Sequence, residues 1–224
     1  MQGARRVFDT IVQVDAFDWV NGTKTAEYKT DGYTNKQYMF YAPAYTSVVQ
    51  EMLRMSFNYY TSAIKYTDYA RKEVFLDLGC GAGKVVLMAN NSGYFDHSFG
   101  VELDEELAKL SKSNTIKASN SSIIVGNAES PDYLNKMVEA LRSREIDPEA
   151  TTLFVFNKNS YGAEVLENSL GILRQHFSSI VYLYQNPVHH KVLEKCGFER
   201  VLSDGAGNIA HKNYKYSIFI LSER

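Results

Sequence analysis

The chain has 224 residues, with 24 basic and 26 acidic side chains and a formal net charge of −2. That length holds one large domain or two small ones and can bury a core without metal or disulfide staples. At 45% hydrophobic and 22% charged it is an ordinary globular composition, which excludes overall disorder, and the near-neutral charge argues against a dedicated nucleic-acid binder.

The two cysteines, Cys80 and Cys196, make no disulfide framework and lack metal-ligand spacing, so both are expected as buried reduced thiols. Asp9 and Asp15 interrupt any apolar run at the start, so no signal peptide is expected there. No apolar stretch approaches the ~18–20 residues that span a bilayer. The expectation is a cytoplasmic protein with no membrane partner.

Residues 1–70 form a front section in which nine of the sixteen tyrosines fall between Tyr28 and Tyr69. After Pro43, the positions Tyr45, Val48, Val49, Met52, Leu53, Tyr59 and Tyr60 follow helical spacing and face a core. The stretch from Tyr28 to Tyr41 is polar, aromatic and punctuated by glycine. Either it closes as a lid that excludes water, with Tyr41 and Asp31 as its contacts, or it packs on the sheet edge.

The remainder, residues 71–224, alternates strand-like and helix-like segments. Glu73–Leu78 is a buried strand ending in glycines, and Lys84–Asn90 suits a helix. His97–Val101 is a second strand; acids at 104, 105 and 106 then open a helix whose apolar stripe is Leu103, Leu107 and Leu110. Ser121–Val125 is a third strand. Ser130 caps and Pro131 opens the next helix, with Leu134, Met137, Val138 and Leu141 inward. Thr151–Phe156 is a fourth strand, and Leu166, Leu170, Leu173 and Phe177 mark a helix after it. Ser179–Tyr184 is a fifth strand, Asn186-Pro187 starts a helix that stops at Gly197, and Phe198–Leu202 and Tyr214–Leu221 form a closing pair of strands. This pattern predicts an α/β fold: a mostly parallel, doubly wound sheet ending in an antiparallel hairpin. Its ligand belongs beyond the carboxyl ends of the strands.

The first such loop reads Asp77-Leu-Gly79-Cys80-Gly81-Ala-Gly83-Lys84. Glycines between strand and helix let backbone approach a ligand, because no Cβ intervenes. The order is G-x-G-x-G, not the dinucleotide G-x-G-x-x-G. Glu102 lies 19 residues past Gly83, where an acid can accept hydrogen bonds from both ribose hydroxyls. The third loop is Val125-Gly126-Asn127-Ala128-Glu129; Asn127 can accept from an amino group and donate to a ring nitrogen. Glu129 is either a further contact or a helix N-terminal charge.

Together these features resemble the first motifs of class I S-adenosylmethionine (SAM)-dependent methyltransferases, a Rossmann-like fold with a seven-stranded sheet. The resemblance implies SAM as cofactor and S-adenosylhomocysteine as product. It places the methionine part at Asp77, Gly79, Cys80, Gly81 and Gly83, the ribose at Glu102 beside Leu103, and the adenine at Asn127 and Ala128. It puts the methyl acceptor in the loop Asn157-Lys158-Asn159-Ser160-Tyr161-Gly162, with Asn157 also touching the cofactor and Tyr41 closing over it. Asn186-Pro187-Val188-His189 after the fifth strand, with Phe17-Asp18, Gly22-Thr23-Lys24-Thr25 and Tyr41-Ala-Pro43, resembles a group of small stand-alone bacterial methyltransferases, which have proline where this chain has Lys158. The segments Phe75–Leu87 and Asn157–Val165 also resemble the non-SET histone lysine methyltransferases of the telomeric-silencing-disruptor type, though without a basic tail to hold a nucleosome.

In-line positioning of the acceptor supplies much of the rate of such a transfer, and a hydroxyl acceptor needs a general base as well. Asn157, Tyr161 and His189 are the candidate catalytic residues. The pair His189-His190 makes no metal site, because adjacent helical residues point apart and a third ligand is missing. The expected activity is methyl transfer to an oxygen or nitrogen of a small molecule or glycan. The alternatives are transfer to a protein lysine and a SAM-fold module that does not catalyse. Nucleic acid ranks below these as a partner, and the sequence fixes no oligomeric state.

Overall fold

The computed structural model describes residues 15–26, 43–63, 71–159, 161–206 and 215–222. Tyr41, Asp31 and the stretch proposed as a lid lie outside them, as does Ser160.

In chain order the described residues form α1 (Ala16–Asn21), α2 (Thr46–Ala63), β1 (Lys72–Leu78), α3 (Lys84–Ser92), β2 (His97–Glu102), α4 (Glu105–Asn114), β3 (Ser121–Val125), α5 (Pro131–Arg142), β4 (Thr151–Asn157), α6 (Ala163–Leu173), β5 (Ser179–Gln185), α7 (His190–Lys195), β6 (Glu199–Ala206) and β7 (Lys215–Ser222). The strands form one sheet in the order β3-β2-β1-β4-β5-β7-β6. The first five run parallel, and β7 is antiparallel to both β5 and β6. The order reverses between β1 and β4, which opens a crevice at their carboxyl ends.

Alternation along the strands divides the core in two. Val74 and Leu76 of β1, Leu153 and Val155 of β4, and Tyr182 and Tyr184 of β5 pack with α5 and α6 on one face. Phe75, Phe154, Phe156, Val181 and Leu183 pack with α2 and α3 on the other. The apolar positions of α2 are buried as their spacing requires, with Val48, Val49, Met52 and Tyr60 sealed completely. In α5, Leu134, Met137, Val138 and Leu141 are likewise inside, below the Ser130 cap and Pro131.

Several boundaries differ from expectation, each for a local reason. Leu103 is not part of the α4 stripe: the Asp104 side chain accepts from the Glu106 and Leu107 amides and starts the helix beyond it, leaving Leu103 39% exposed. Phe177 is buried but lies past the end of α6, brought in by a tight turn after Leu173. The helix expected from Asn186-Pro187 begins only at His190, because Asn186 adopts a left-handed φ of 53° that a helix does not accept. His189 is therefore the cap residue of a six-residue helix rather than part of its first turn. Cys80 is buried and free, whereas Cys196, also free, is only half-buried at the end of α7. No described helix is long and apolar enough to cross a membrane.

Candidate functional site

The glycine turn is fastened to the end of β2. The amides of Gly79 and Cys80 both donate to the Val101 carbonyl, at 2.9 and 3.0 Å. Gly79, Gly81 and Gly83 all have positive φ, between 53° and 82°, so the turn is closed to ordinary side chains by backbone conformation alone. At Gly83 a Cβ would also stand 2.4 Å from Ser111 Oγ of α4. Under the turn, a Cβ at Gly100 of β2 would meet Cys80 Sγ at 2.7 Å and Val86 at 2.8 Å. Cys80 thus fills the space that Gly100 leaves, and its buried thiol is held protonated by burial and by the neighbouring Asp77 and Glu102 carboxylates.

Glu102 ends β2 and faces the turn. Its Oε2 accepts the Gly81 amide at 2.8 Å and its Oε1 accepts the Asp104 amide at 3.0 Å. Burial raises its pKa, opposed by those amides and that of Leu103. Two backbone donors therefore aim the carboxylate before any ligand arrives, and each oxygen keeps a lone pair for a hydroxyl. A vicinal diol is what such a group binds. In the third loop the Asn127 Oδ1 accepts the Glu129 amide at 3.0 Å, so the side chain's remaining donor capacity lies on its amide nitrogen. Ala128 is buried and its carbonyl accepts from Ser169 of α6. Glu129 accepts weakly from Asn168 of α6.

Asp77, at the end of β1, is 3% exposed and shares the face of Phe75. Burial first, and then the Glu102 carboxylate, push its pKa well up, while the Lys158 ammonium pulls it down. Asn157 is 1% exposed at the end of β4, on the opposite face, beside the hydroxyl of Tyr182. Tyr161 follows in the loop, half-buried and packed against the core cluster of Tyr133 and Tyr182, within electrostatic reach of Glu102 and Asp77. Burial raises its pKa well above the phenol value and those neighbours reinforce the shift, so it is a hydrogen-bonding neutral phenol and not a phenolate base.

The structure therefore gathers Asp77, the glycine turn, Glu102, Asn127, Asn157 and Tyr161 at one end of the sheet. A turn of three glycines in positive-φ conformations, next to a carboxylate aimed by two backbone amides, fits the amino-acid and ribose parts of SAM. Sequence comparison then decides the family. The profile of the histone methylation protein DOT1 family matches residues 36–177, more than half of the chain, including the glycine turn, Glu102 and the whole Asn157–Gly162 loop. The chain belongs to the DOT1 family. It is a SAM-dependent methyltransferase.

No curated protein matches the chain in sequence. Among solved structures, a protein of Pyrococcus horikoshii named as an RNA methyltransferase is similar with a TM-score of 0.55 at 12% identity, over 93% of this chain and 95% of that one. At that identity the likeness establishes the Rossmann-like fold. Magnesium protoporphyrin IX methyltransferase from Synechocystis, solved with bound SAM, is 11% identical over 98% of this chain and 97% of its own, with a TM-score of 0.48. An RNA methyltransferase from Salinibacter ruber, in complex with S-adenosylhomocysteine, is 17% identical over 82% and 95%, with a TM-score of 0.47.

Within the methyltransferase the residues that sequence reasoning missed are those whose partners are remote. Tyr184, buried on β5, donates to Asn159 Oδ1 at 3.0 Å and lies against the His189 backbone, so one hydroxyl joins the loops after β4 and β5. His189 belongs to this arrangement through its main chain. His190 is turned back on Pro187, Nδ1 lying 3.1 Å from its carbonyl oxygen. The described residues hold no group of three His, Cys, Asp or Glu that could bind a metal. Gln185, the last residue of β5, is fully buried, and neither end of its amide has a hydrogen-bond partner. Lys158, noticed in the sequence only as a replacement for proline, lies on the site itself.

The front section reaches the turn from outside. Asp18 of α1 accepts from Thr23 Oγ1 at 2.6 Å, from the Thr25 amide and hydroxyl at 2.8 Å each, and from the Ala26 amide at 2.9 Å. Burial alone would raise its pKa; the four hydrogen bonds outweigh that and lower it. The knot so formed presents the Lys24 amide to Asn114 Oδ1 at 3.0 Å, while Asn114 Nδ2 donates to the Ala82 carbonyl at 2.9 Å. The Phe17 ring lies 4.8 Å from Lys84 Nζ at the start of α3.

Proposed function

We propose that this methyltransferase transfers the SAM methyl group to the side-chain amine of a protein lysine. The observation that carries this is the DOT1 family match, which covers the cofactor turn and the loop expected to receive the acceptor in one continuous stretch. Within that stretch Asn157 would orient the acceptor, and Tyr161 would wall the crevice with its ring and offer a neutral hydroxyl. SAM supplies an activated methyl on a sulfonium. The protein's part is to hold a neutral amine in line with it and exclude water.

With a net charge of −2, the chain has no overall basic excess to draw it to DNA. We therefore place the acceptor lysine on free histone or another basic protein, ahead of a nucleosome. The test is transfer of radiolabelled methyl from SAM to isolated histones, to nucleosomes and to a small-molecule extract, followed by protease digestion and mass spectrometry. Methyl-lysine peptides from free histone are expected. Label confined to a protease-resistant small molecule or glycan, the acceptor class first expected from the sequence, would overturn the lysine reading.

A further inference from the structure

Lys158 sits one residue past the end of β4, and continued alternation puts it on the face of Phe154 and Phe156. Phe156 is the register partner of Asp77, so Lys158 and Asp77 lie on the same face of adjacent parallel strands, at the carboxyl edge. The Lys158 ammonium donates to the Pro43 carbonyl at 3.2 Å, crossing 115 residues of sequence to the segment that leads into α2. Among the described residues its charge also acts on Asp77, against a burial penalty and the second carboxylate of Glu102. Its other charged neighbour is Lys84 at the start of α3, itself balanced by Asp18 and Asp15. From β5 the adjacent group is the neutral amide of Gln185, which follows the last register pair Asn157–Tyr184.

Asp77 is buried and Glu102 half-buried at the same glycine turn. Left to themselves, one of them takes up a proton, because adjacent buried carboxylates do not both ionise readily. A protonated Asp77 could not serve as the anionic partner of a cationic amino-acid ligand. We propose that Lys158 is a positioning residue of the cofactor site: it sets its ammonium on the same face as Asp77 at the carboxyl edge, where Asp77 would meet the cofactor's amino group, and, through Pro43, ties the front section to that edge. Cofactor affinity and one of the contacts that dock the front section then share a side chain. This goes beyond the identity of the methyl acceptor and does not depend on it.

Burial brings the Lys158 ammonium down to about 8, so the charge that supports Asp77 fades as pH rises through that value. Lys84 titrates in the same range, also lowered to about 8, and so does the cofactor's own amine. The decisive quantity is therefore the difference between wild type and Lys158→Arg, whose guanidinium stays charged. SAM and S-adenosylhomocysteine affinities would be measured by titration calorimetry from pH 6 to 9 on the full chain. At pH 7, Lys158→Met should bind both at least about tenfold more weakly, recovering part of the loss as pH rises and Asp77 ionises unaided, while Lys158→Arg should stay close to wild type. Above pH 8, wild type should weaken more steeply than Lys158→Arg. If Lys158→Met does not fold, the wild-type and arginine profiles decide alone. Parallel profiles for those two, or a folded methionine variant with wild-type affinity at pH 7, would overturn the proposal. Glu102→Ala, measured alongside, separates the two possible failures: if it loses affinity while the Lys158 variants do not, the cofactor site stands and the role of Lys158 falls.

Discussion

His97 enters the sheet as a neutral imidazole. It is buried at the start of β2, with Nε2 3.0 Å from Ser122 Oγ, and burial, assisted by Arg144, lowers its pKa to about 4. An unfolded chain protonates histidine near 6.5, so below that pH the unfolded state binds more protons. The stabilisation from a neutral His97 is complete above about 6.5 and is lost as pH falls toward 4. Melting temperatures of wild type and His97→Gln between pH 7.5 and 4.5 should converge as the pH drops, since glutamine does not titrate. Curves that stay parallel would show that His97 is protonated equally in both states.

Single residues also show where sequence was legible. Glu102 could be located at the glycine turn because its distance from it reflects one helix and one strand, and in the structure it accepts the Gly81 amide. Gly100 could not: its need for a bare Cα comes from Cys80 and Val86 pressing on it, and neither is near it in sequence. Lys158 stood out as a departure from a pattern, but its partner Pro43 is joined to it only by the fold. For His189, the expectation failed on a backbone angle, since an Asn-Pro pair signals a turn without saying which residue takes the left-handed conformation.

At the scale of elements, the periodic ones were the predictable ones. Amphipathic α2 and α5 have their buried positions set by spacing alone, and the five parallel strands announce themselves as short apolar runs between turns. The short α1 was invisible, because six residues carry too little periodicity and its order comes from the Asp18 knot after it. That knot meets the catalytic domain through Asn114, which links the Lys24 amide to the Ala82 carbonyl of the glycine turn. Asn114→Ala should leave the sheet intact while the Lys24 amide exchanges faster with deuterium and SAM affinity falls several-fold. Unchanged exchange at Lys24 would mean that the front section is held without this bridge. Within the front section, α2 packs directly on β5, β7 and α3.

For the whole molecule, strand order and active end follow from connectivity: parallel units wound in both directions from β1 place their loops at one edge, and every expected site residue among those described comes from that edge. The acceptor was the least legible part. The loop after β4, expected to receive it, draws on Tyr184 of β5 and Pro43 of the front section. The measurement that tests the central claim most directly is thermal unfolding with SAM, with S-adenosylhomocysteine and with a nicotinamide dinucleotide, for wild type and Glu102→Ala. At ~100 times its dissociation constant a ligand stabilises by roughly 2.7 kcal/mol. For a chain of this size that corresponds to a rise of about 5–10 °C. That rise is expected with SAM and its product only, and is reduced in Glu102→Ala. A folded wild-type protein that does not shift at saturating SAM, or that shifts with the dinucleotide instead, would contradict it.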